Sequence, residues 1–350
     1  MDSSMNGEES GIKSEPKTEE KNNDEQGIED DQKSDGKSED ANHEHPDAPE
    51  GDDSKATGEI FILDVDATEL DLNYQRIGKI GTAELDRLQN LECLYLRWNL
   101  LKKIENLENL VTLRELELYG NQLTSIEGLD TLVNLEMLDL SFNRITEIKN
   151  LGNLTKLEKL FLSANKISKI ENLSHLKNLK MLELGNNKIR VIENLEELTN
   201  LDSLFLGKNK INTINNLGTL KKIKLLSIQC NRLTKIEGLE ELKDLEELYI
   251  SENGIEEITS LDQNVKLKTL DLAMNHITAI KNVEHLVELE EFWINNNKIT
   301  DWRCIDVLAA NTKLTTIYLE GNPISKDPNY RRKIKLAIPW ITQIDATMTK

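Results

Sequence analysis

From Leu113 to Asn134 the chain reads Leu-Arg-Glu-Leu-Glu-Leu-Tyr-Gly-Asn-Gln-Leu-Thr-Ser-Ile-Glu-Gly-Leu-Asp-Thr-Leu-Val-Asn, and the same 22-residue pattern begins again at Leu135. With Leu113 as position 1, apolar residues occupy positions 1, 4, 6, 11, 14, 17 and 20, and asparagine holds position 9. The frame recurs from Leu91, Leu113, Leu135, Leu157, Leu179, Leu201, Ile223, Leu245, Leu267, Leu289 and Leu314. The ninth residues are Asn99, Asn121, Asn143, Asn165, Asn187, Asn209, Asn231, Asn253, Asn275, Asn297 and Asn322. No unit of this size can bury its apolar side chains alone, so the units must stack.

The spacing says how each unit is shaped. Positions 4 and 6 of a short strand point to one side, the core, while 3, 5 and 7 point to the other. Position 9 falls where the chain leaves the strand, and an amide offers both a donor and an acceptor to the backbone of neighbouring turns. Buried and unpaired, such an amide would cost about 1–3 kcal/mol. Positions 11, 14, 17 and 20 recur at intervals that suit 3₁₀ or short helical turns. The fold class expected is an α/β solenoid of about 12 units, curved, with a parallel sheet on the concave side, turns on the convex side and terminal caps.

Residues 1–57 are of another kind, with no Phe, Trp, Tyr, Leu or Val and with 19 acidic against 6 basic residues, a net of −13 out of −20 for the whole chain. They are expected to form a disordered acidic tail. Residues 58–66, Gly-Glu-Ile-Phe-Ile-Leu-Asp-Val-Asp, read as an N-terminal cap over the first unit. The array is expected over 67–327. Its first unit, from Ala67, has Gln75 in place of asparagine, an irregularity suited to a terminal repeat. The unit from Leu289 is longer, with Trp302 and Ile305 in apolar slots and Asp306–Asn311 long enough for a helical turn. Asn264 stands in an apolar slot, where the neighbouring Val265 is expected to fill the space. Residues 328–350 read as a C-terminal cap with a helix over Pro328–Pro339. Its cluster Arg331-Arg332-Lys333-Ile334-Lys335 fits a weak nuclear import signal or simply a basic helix face.

No charged segment followed by an apolar one opens the chain, and no apolar run is long enough to span a bilayer. Cys93, Cys230 and Cys304 are odd in number and far apart, which suits reduced thiols. Nucleus and cytoplasm are the expected compartments.

On the strand face, positions 3, 5, 7 and 8 of the eleven in-frame units hold nine of the fifteen aromatics: Tyr95, Trp98, Tyr119, Phe142, Phe161, Phe205, Tyr249, Trp293 and Tyr318. Aromatics presented by a rigid sheet are the anchors expected of a protein interface. At positions 3, 5 and 7, Glu115, Glu117, Asp139, Glu183, Glu247, Asp271, Glu291 and Glu320 stand against Arg97 and Lys159. The expected partner is therefore basic and protein in nature, and such a field disfavours nucleic acid. Gly185 and Gly207 read as positions that make room for the partner. Glu115 with Glu117 is the best candidate acid/base pair, but it lies on an open surface without an enclosing pocket. His43, His45, His175, His276 and His285 form no metal-ligand spacing with cysteine, and no phosphate-binding glycine loop is present. No catalysis, cofactor, metal or membrane association is expected, and the free protein is expected to be monomeric.

The unit resembles the leucine-rich repeat proteins of the 22-residue intracellular subtype, with Ile-x-x-Ile-Glu-x-Leu on the convex side, as in Ile167–Leu173. The closing Tyr330-Arg-Arg…Pro339-Trp-Ile-Thr-Gln-Ile-Asp345 is similar to the cap that follows such arrays. Together with the acidic tail, these features resemble the leucine-rich regulators of protein phosphatase 1. That resemblance implies a non-catalytic chain that binds the phosphatase catalytic subunit on its concave face, together with a further inhibitor subunit. It implies partner-binding roles for Asp139, Phe161, Glu183, Phe205, Asp271, Glu291, Trp293 and Tyr318. The alternative is an adaptor, or an acidic nuclear scaffold, that uses the same array for a different basic protein. Regulators of this phosphatase often carry a short motif with a basic residue, Val or Ile, and then Phe or Trp. The nearest match, Lys335-Leu-Ala-Ile-Pro-Trp340, has the wrong spacing.

Overall fold

The computed structural model describes residues 64–81 and 85–349, so the expected tail, 1–57, and residues 58–63 of the expected N-terminal cap lie outside the described residues. Each repeat contributes one three-residue strand. They are β1 (Glu69–Asp71), β2 (Cys93–Tyr95), β3 (Glu115–Glu117), β4 (Met137–Asp139), β5 (Lys159–Phe161), β6 (Met181–Glu183) and β7 (Ser203–Phe205), followed by β8 (Leu225–Ser227), β9 (Glu247–Tyr249), β10 (Thr269–Asp271), β11 (Glu291–Trp293) and β12 (Thr316–Tyr318). All twelve pair in parallel with their sequence neighbours, position for position. One register therefore runs the length of the array.

Positions 1, 4, 6, 11, 14, 17 and 20 make a continuous apolar core, with Leu113, Leu116, Leu118, Leu123, Ile126, Leu129 and Leu132 all at 0 % exposure. The asparagines at position 9 join consecutive units. Asn187 is typical: its Oδ1 accepts from the backbone N–H of Ile167 in the preceding unit at 3.0 Å, and its Nδ2 donates to the carbonyls of Leu162, Leu184 and Gly185. Asn99 and Asn322, at the two ends of the series, bond the preceding unit in the same way. Gln75 instead reaches back to the carbonyl of Asn73, so the ladder begins at the second unit. A second ladder, at position 16, was not read from the sequence. Asn106, Asn150, Asn172, Asn194, Asn216 and Asn282 all have positive φ and donate to the carbonyl of position 14 in the preceding unit. Short polar side chains tolerate that backbone region better than most.

The convex side is built of single 3₁₀-type turns, such as Leu110 N–H to Leu107 O at 3.0 Å. In the long unit they extend to a nine-residue 3₁₀ helix, Trp302–Ala310, started by Asp301, whose side chain accepts from Arg303 N–H. The expectation for Val265 is corrected: it is exposed, and Asn264 itself fills the slot at 0 % exposure. Asn264 Nδ2 donates to the carbonyls of Leu239 and Leu242, and Asn311 makes the same pair of bonds to Val283 and Leu286.

After the 3₁₀ turn Pro323–Lys326, helix α1 (Tyr330–Ala337) buries Tyr330 and Ile334 over the end of the array. Strand β13 (Gln343–Ile344) extends the sheet in parallel, and β14 (Thr347–Met348) closes it as an antiparallel edge. Asp345 ties this edge to the last unit, accepting from Leu319 N–H, Glu320 N–H and the Tyr330 hydroxyl. Three of the four basic residues of α1 serve this cap, while Arg332 is exposed. Arg331 donates to the carbonyls of Ile344 and Thr347, Lys335 donates to that of Ile341, and Lys333 lies 4.7 Å over the Trp302 ring. Trp340 donates to Asn311 O, so the nearest match to the phosphatase motif is structural.

Candidate functional site

Because the strands share one register, position 5 forms a single row across the sheet. From β4 to β12 it reads Asp139, Phe161, Glu183, Phe205, Ser227, Tyr249, Asp271, Trp293 and Tyr318, each the direct pairing partner of the next. Seven of the eight expected partner-binding residues lie in this row, and Glu291 lies in the adjoining row at position 3, between Thr269 and Thr316. Rings and carboxylates thus alternate from Asp139 to Phe205 and again from Tyr249 to Trp293, with Ser227 between the two runs and Tyr318 as a second ring beyond Trp293. Trp293 and Tyr318 meet edge to face, with centroids 5.5 Å apart.

Exposure along the row is uneven, which alternation alone does not show. Phe161, Glu183, Phe205, Glu291, Trp293 and Tyr318 are half-buried, whereas Asp139 and Asp271 are buried at 9 % and 6 %. Each of these aspartates turns back on its own strand end. Asp139 Oδ1 accepts from Ser141 N–H at 2.8 Å, and Asp271 accepts from Ala273 N–H at 3.0 Å and from the Ser251 hydroxyl at 2.6 Å. They stiffen the row as well as charging it. Gly207 does not leave open space for a partner, because the side chain of Gln229 already lies over it, within 2.9 Å of where a Cβ would stand. Glu117 is engaged by Arg97, whose Nη2 lies 2.7 Å from Oε1, so the Glu115 and Glu117 pair is not a pair of free carboxylates.

Burial raises the carboxyl pKa of Asp139, Glu183 and Asp271 above the ordinary value, opposed in part by hydrogen bonds from Ser141, Ser163 and Ser251. A carboxyl with a raised folded pKa favours folding most when it is protonated. That contribution is complete below the unfolded-state pKa, near 4, and is lost as pH rises through the folded value. A partner lysine or arginine selects the opposite, ionised form. Binding of a basic partner should therefore weaken as pH falls toward and through the raised folded value, which lies above the ordinary carboxylate value near 4, and Asp139→Asn with Asp271→Asn should flatten that profile. A profile equally steep in the variant would remove these carboxyls from the interface.

The comparisons agree with this architecture. Family models described as "Leucine Rich repeats (2 copies)" match residues 111–144 and 133–175, and one described as "Leucine-rich repeat" matches 180–287. An internalin, InlF, of Listeria monocytogenes superposes with a TM-score of 0.65 at 28 % identity, covering 81 % of this chain and 87 % of its own. A leucine-rich repeat protein of Leptospira interrogans gives 0.60 at 26 % identity, covering 77 % and 81 %. The chain is a leucine-rich repeat protein of the 22-residue class, a class of scaffolds that are generally non-catalytic and bind proteins.

A particular relative can be named beside the class. The chain is 49 % identical over 52 residues to protein phosphatase 1 regulatory subunit 7 of Homo sapiens, a match covering 15 % of this chain and 14 % of the human protein. The Danio rerio protein of the same name is 53 % identical over 49 residues, covering 14 % of each. The matched stretch is thus about a seventh of either relative.

Proposed function

We propose that this protein is a non-catalytic regulatory subunit that binds the catalytic subunit of protein phosphatase 1 through the position-5 row and controls its activity, maturation or localisation. The observation that carries the reading is the continuous strand pairing from Asp139 to Tyr318, which gathers rings and carboxylates into one row, interrupted only by Ser227, on strands about 4.8 Å apart. The local identity to regulatory subunit 7 supports the choice of partner. In such an interface Phe161, Phe205 and Trp293 are the desolvated anchors, and Glu183, Glu291, Asp139 and Asp271 pair with lysine or arginine of the catalytic subunit. A line of nine strands is broad enough for a folded partner and leaves the partner's groove for linear motifs open to a further inhibitor subunit. Action in nucleus and cytoplasm belongs to the same reading. Titration of the purified full chain with the catalytic subunit tests it, with a one-to-one complex as the expected result. If no complex forms, the reading fails and a scaffold for a different basic protein takes its place.

A further inference from the structure

Position 8 has positive φ in every unit, from Tyr74, Trp98, Gly120 and Phe142 through to Asn296 and Gly321. Glycine and asparagine meet that backbone requirement with little strain, and bulky rings meet it poorly. The fold thus needs the left-handed turn but not the rings. Yet Tyr74, Trp98 and Phe142 stand there in three of the first four units, and Tyr119 at position 7 completes a continuous group. The Trp98 ring lies 5.3 Å from Tyr119, 6.4 Å from Tyr74 and 6.5 Å from Phe142, and Tyr119 lies 4.7 Å from Phe142. Gly120 seats this group, since a Cβ there would stand 2.8 Å from Cδ2 and Cε3 of Trp98. The rings remain open to solvent at the ends of the group, with Tyr74 70 % and Phe142 40 % exposed.

The charge around the rings says what they suit. At positions 3, 5 and 7 of the first four units, Glu69, Asp71, Glu115, Glu117 and Asp139 stand against Arg97 alone. Arg97 shows the chemistry within the chain, with its guanidinium 5.9 Å from the Tyr119 centroid and paired to Glu117. Ring faces backed by carboxylates attract cations, arginine above all. We propose that Tyr74, Trp98, Tyr119 and Phe142 form a second docking surface, which takes arginine or lysine side chains of an extended basic segment in a protein partner. It occupies positions 7 and 8 of the first four units and does not rest on the phosphatase reading.

The test uses the full chain carrying 5-fluorotryptophan, whose fluorine signals report separately on Trp98, Trp293, Trp302 and Trp340; Trp98→Phe assigns the first. The probe is an eight-residue peptide alternating arginine and glycine, with matched peptides in which proline or glutamate replaces arginine. The arginine peptide should move the Trp98 signal saturably and leave Trp293, Trp302 and Trp340 in place. Tyr74→Asn with Phe142→Asn should weaken that binding at least about fivefold. Asparagine already stands at position 8 as Asn186 and Asn296, so this variant should melt as the parent does. The proposal is overturned by a Trp98 signal that does not move, by unchanged affinity in the asparagine variant, or by an equal response to the proline peptide. A Trp293 signal titrating with the same midpoint also overturns it, by making the binding a property of the whole acidic face.

Discussion

Truncating Trp293 to alanine should weaken binding of the phosphatase catalytic subunit at least about thirtyfold, or about 2 kcal/mol, while leaving the array folded. Trp293 lies near the C-terminal end of the position-5 row, between Asp271 and Tyr318, on the side of the sheet away from the leucine core. Its indole N–H is buried without an acceptor, a cost that the fold carries and that truncation removes. That relief offsets part of the lost edge-to-face contact with Tyr318, which is worth about 0.5–1.5 kcal/mol. The measurement is a pair of numbers for one variant, its dissociation constant and its melting temperature. A large fall in melting temperature would mean that Trp293 belongs to the core.

Asn187→Ala should do the reverse. The substitution strands the buried backbone N–H of Ile167 and removes a donor from three carbonyls at the junction between two units. One stranded buried group costs about 1–3 kcal/mol, so the loss of stability should reach about 3 kcal/mol, comparable with the truncation of a core leucine such as Leu140. Each repeat leans only on its neighbours, so a weak junction in mid-array should also lower cooperativity and split the denaturation curve. Thermal melting of Asn187→Ala beside Trp293→Ala checks both predictions at once. The large fall in melting temperature is expected of the asparagine variant alone.

Most of the fold was legible because a 22-residue repeat states its core positions eleven times over. The ladder at position 9 was legible for the same reason, through Asn99 to Asn322. The second ladder at position 16 carried a readable signal, since asparagine recurs there from Asn106 to Asn282, but glycine at Gly128 and Gly238 and serine at Ser260 dilute it. Asn264 was misread because a polar residue in an apolar slot invites a neighbour to replace it. The structure shows that two carbonyls from the adjoining turn supply the reason for an amide.

The candidate face was legible as a row but not in its depth. Period-2 alternation puts Asp139, Glu183 and Asp271 on one face alike. Whether a carboxylate there is buried depends on what lies beside it, such as Ser141 for Asp139 and Ser251 for Asp271. The same applies to Gly207, where the side chain that fills the space is Gln229, one repeat further on. Nor does alternation reveal the left-handed turn at position 8, which carries Trp98 and Phe142 out of the strand rows and toward each other.

The proposed function has the position-5 row grip the phosphatase catalytic subunit through its rings and carboxylates. Its most direct test is calorimetric titration of the catalytic subunit with the full chain and with the double variant Asp139→Lys, Glu183→Lys. The two substitutions reverse charges two strands apart in the row, on either side of Phe161, while the leucines behind it remain. Saturable one-to-one binding by the parent, absent in a double variant that still melts cooperatively, is the predicted result. Equal affinity for both chains would contradict it and would place the contact elsewhere on the molecule.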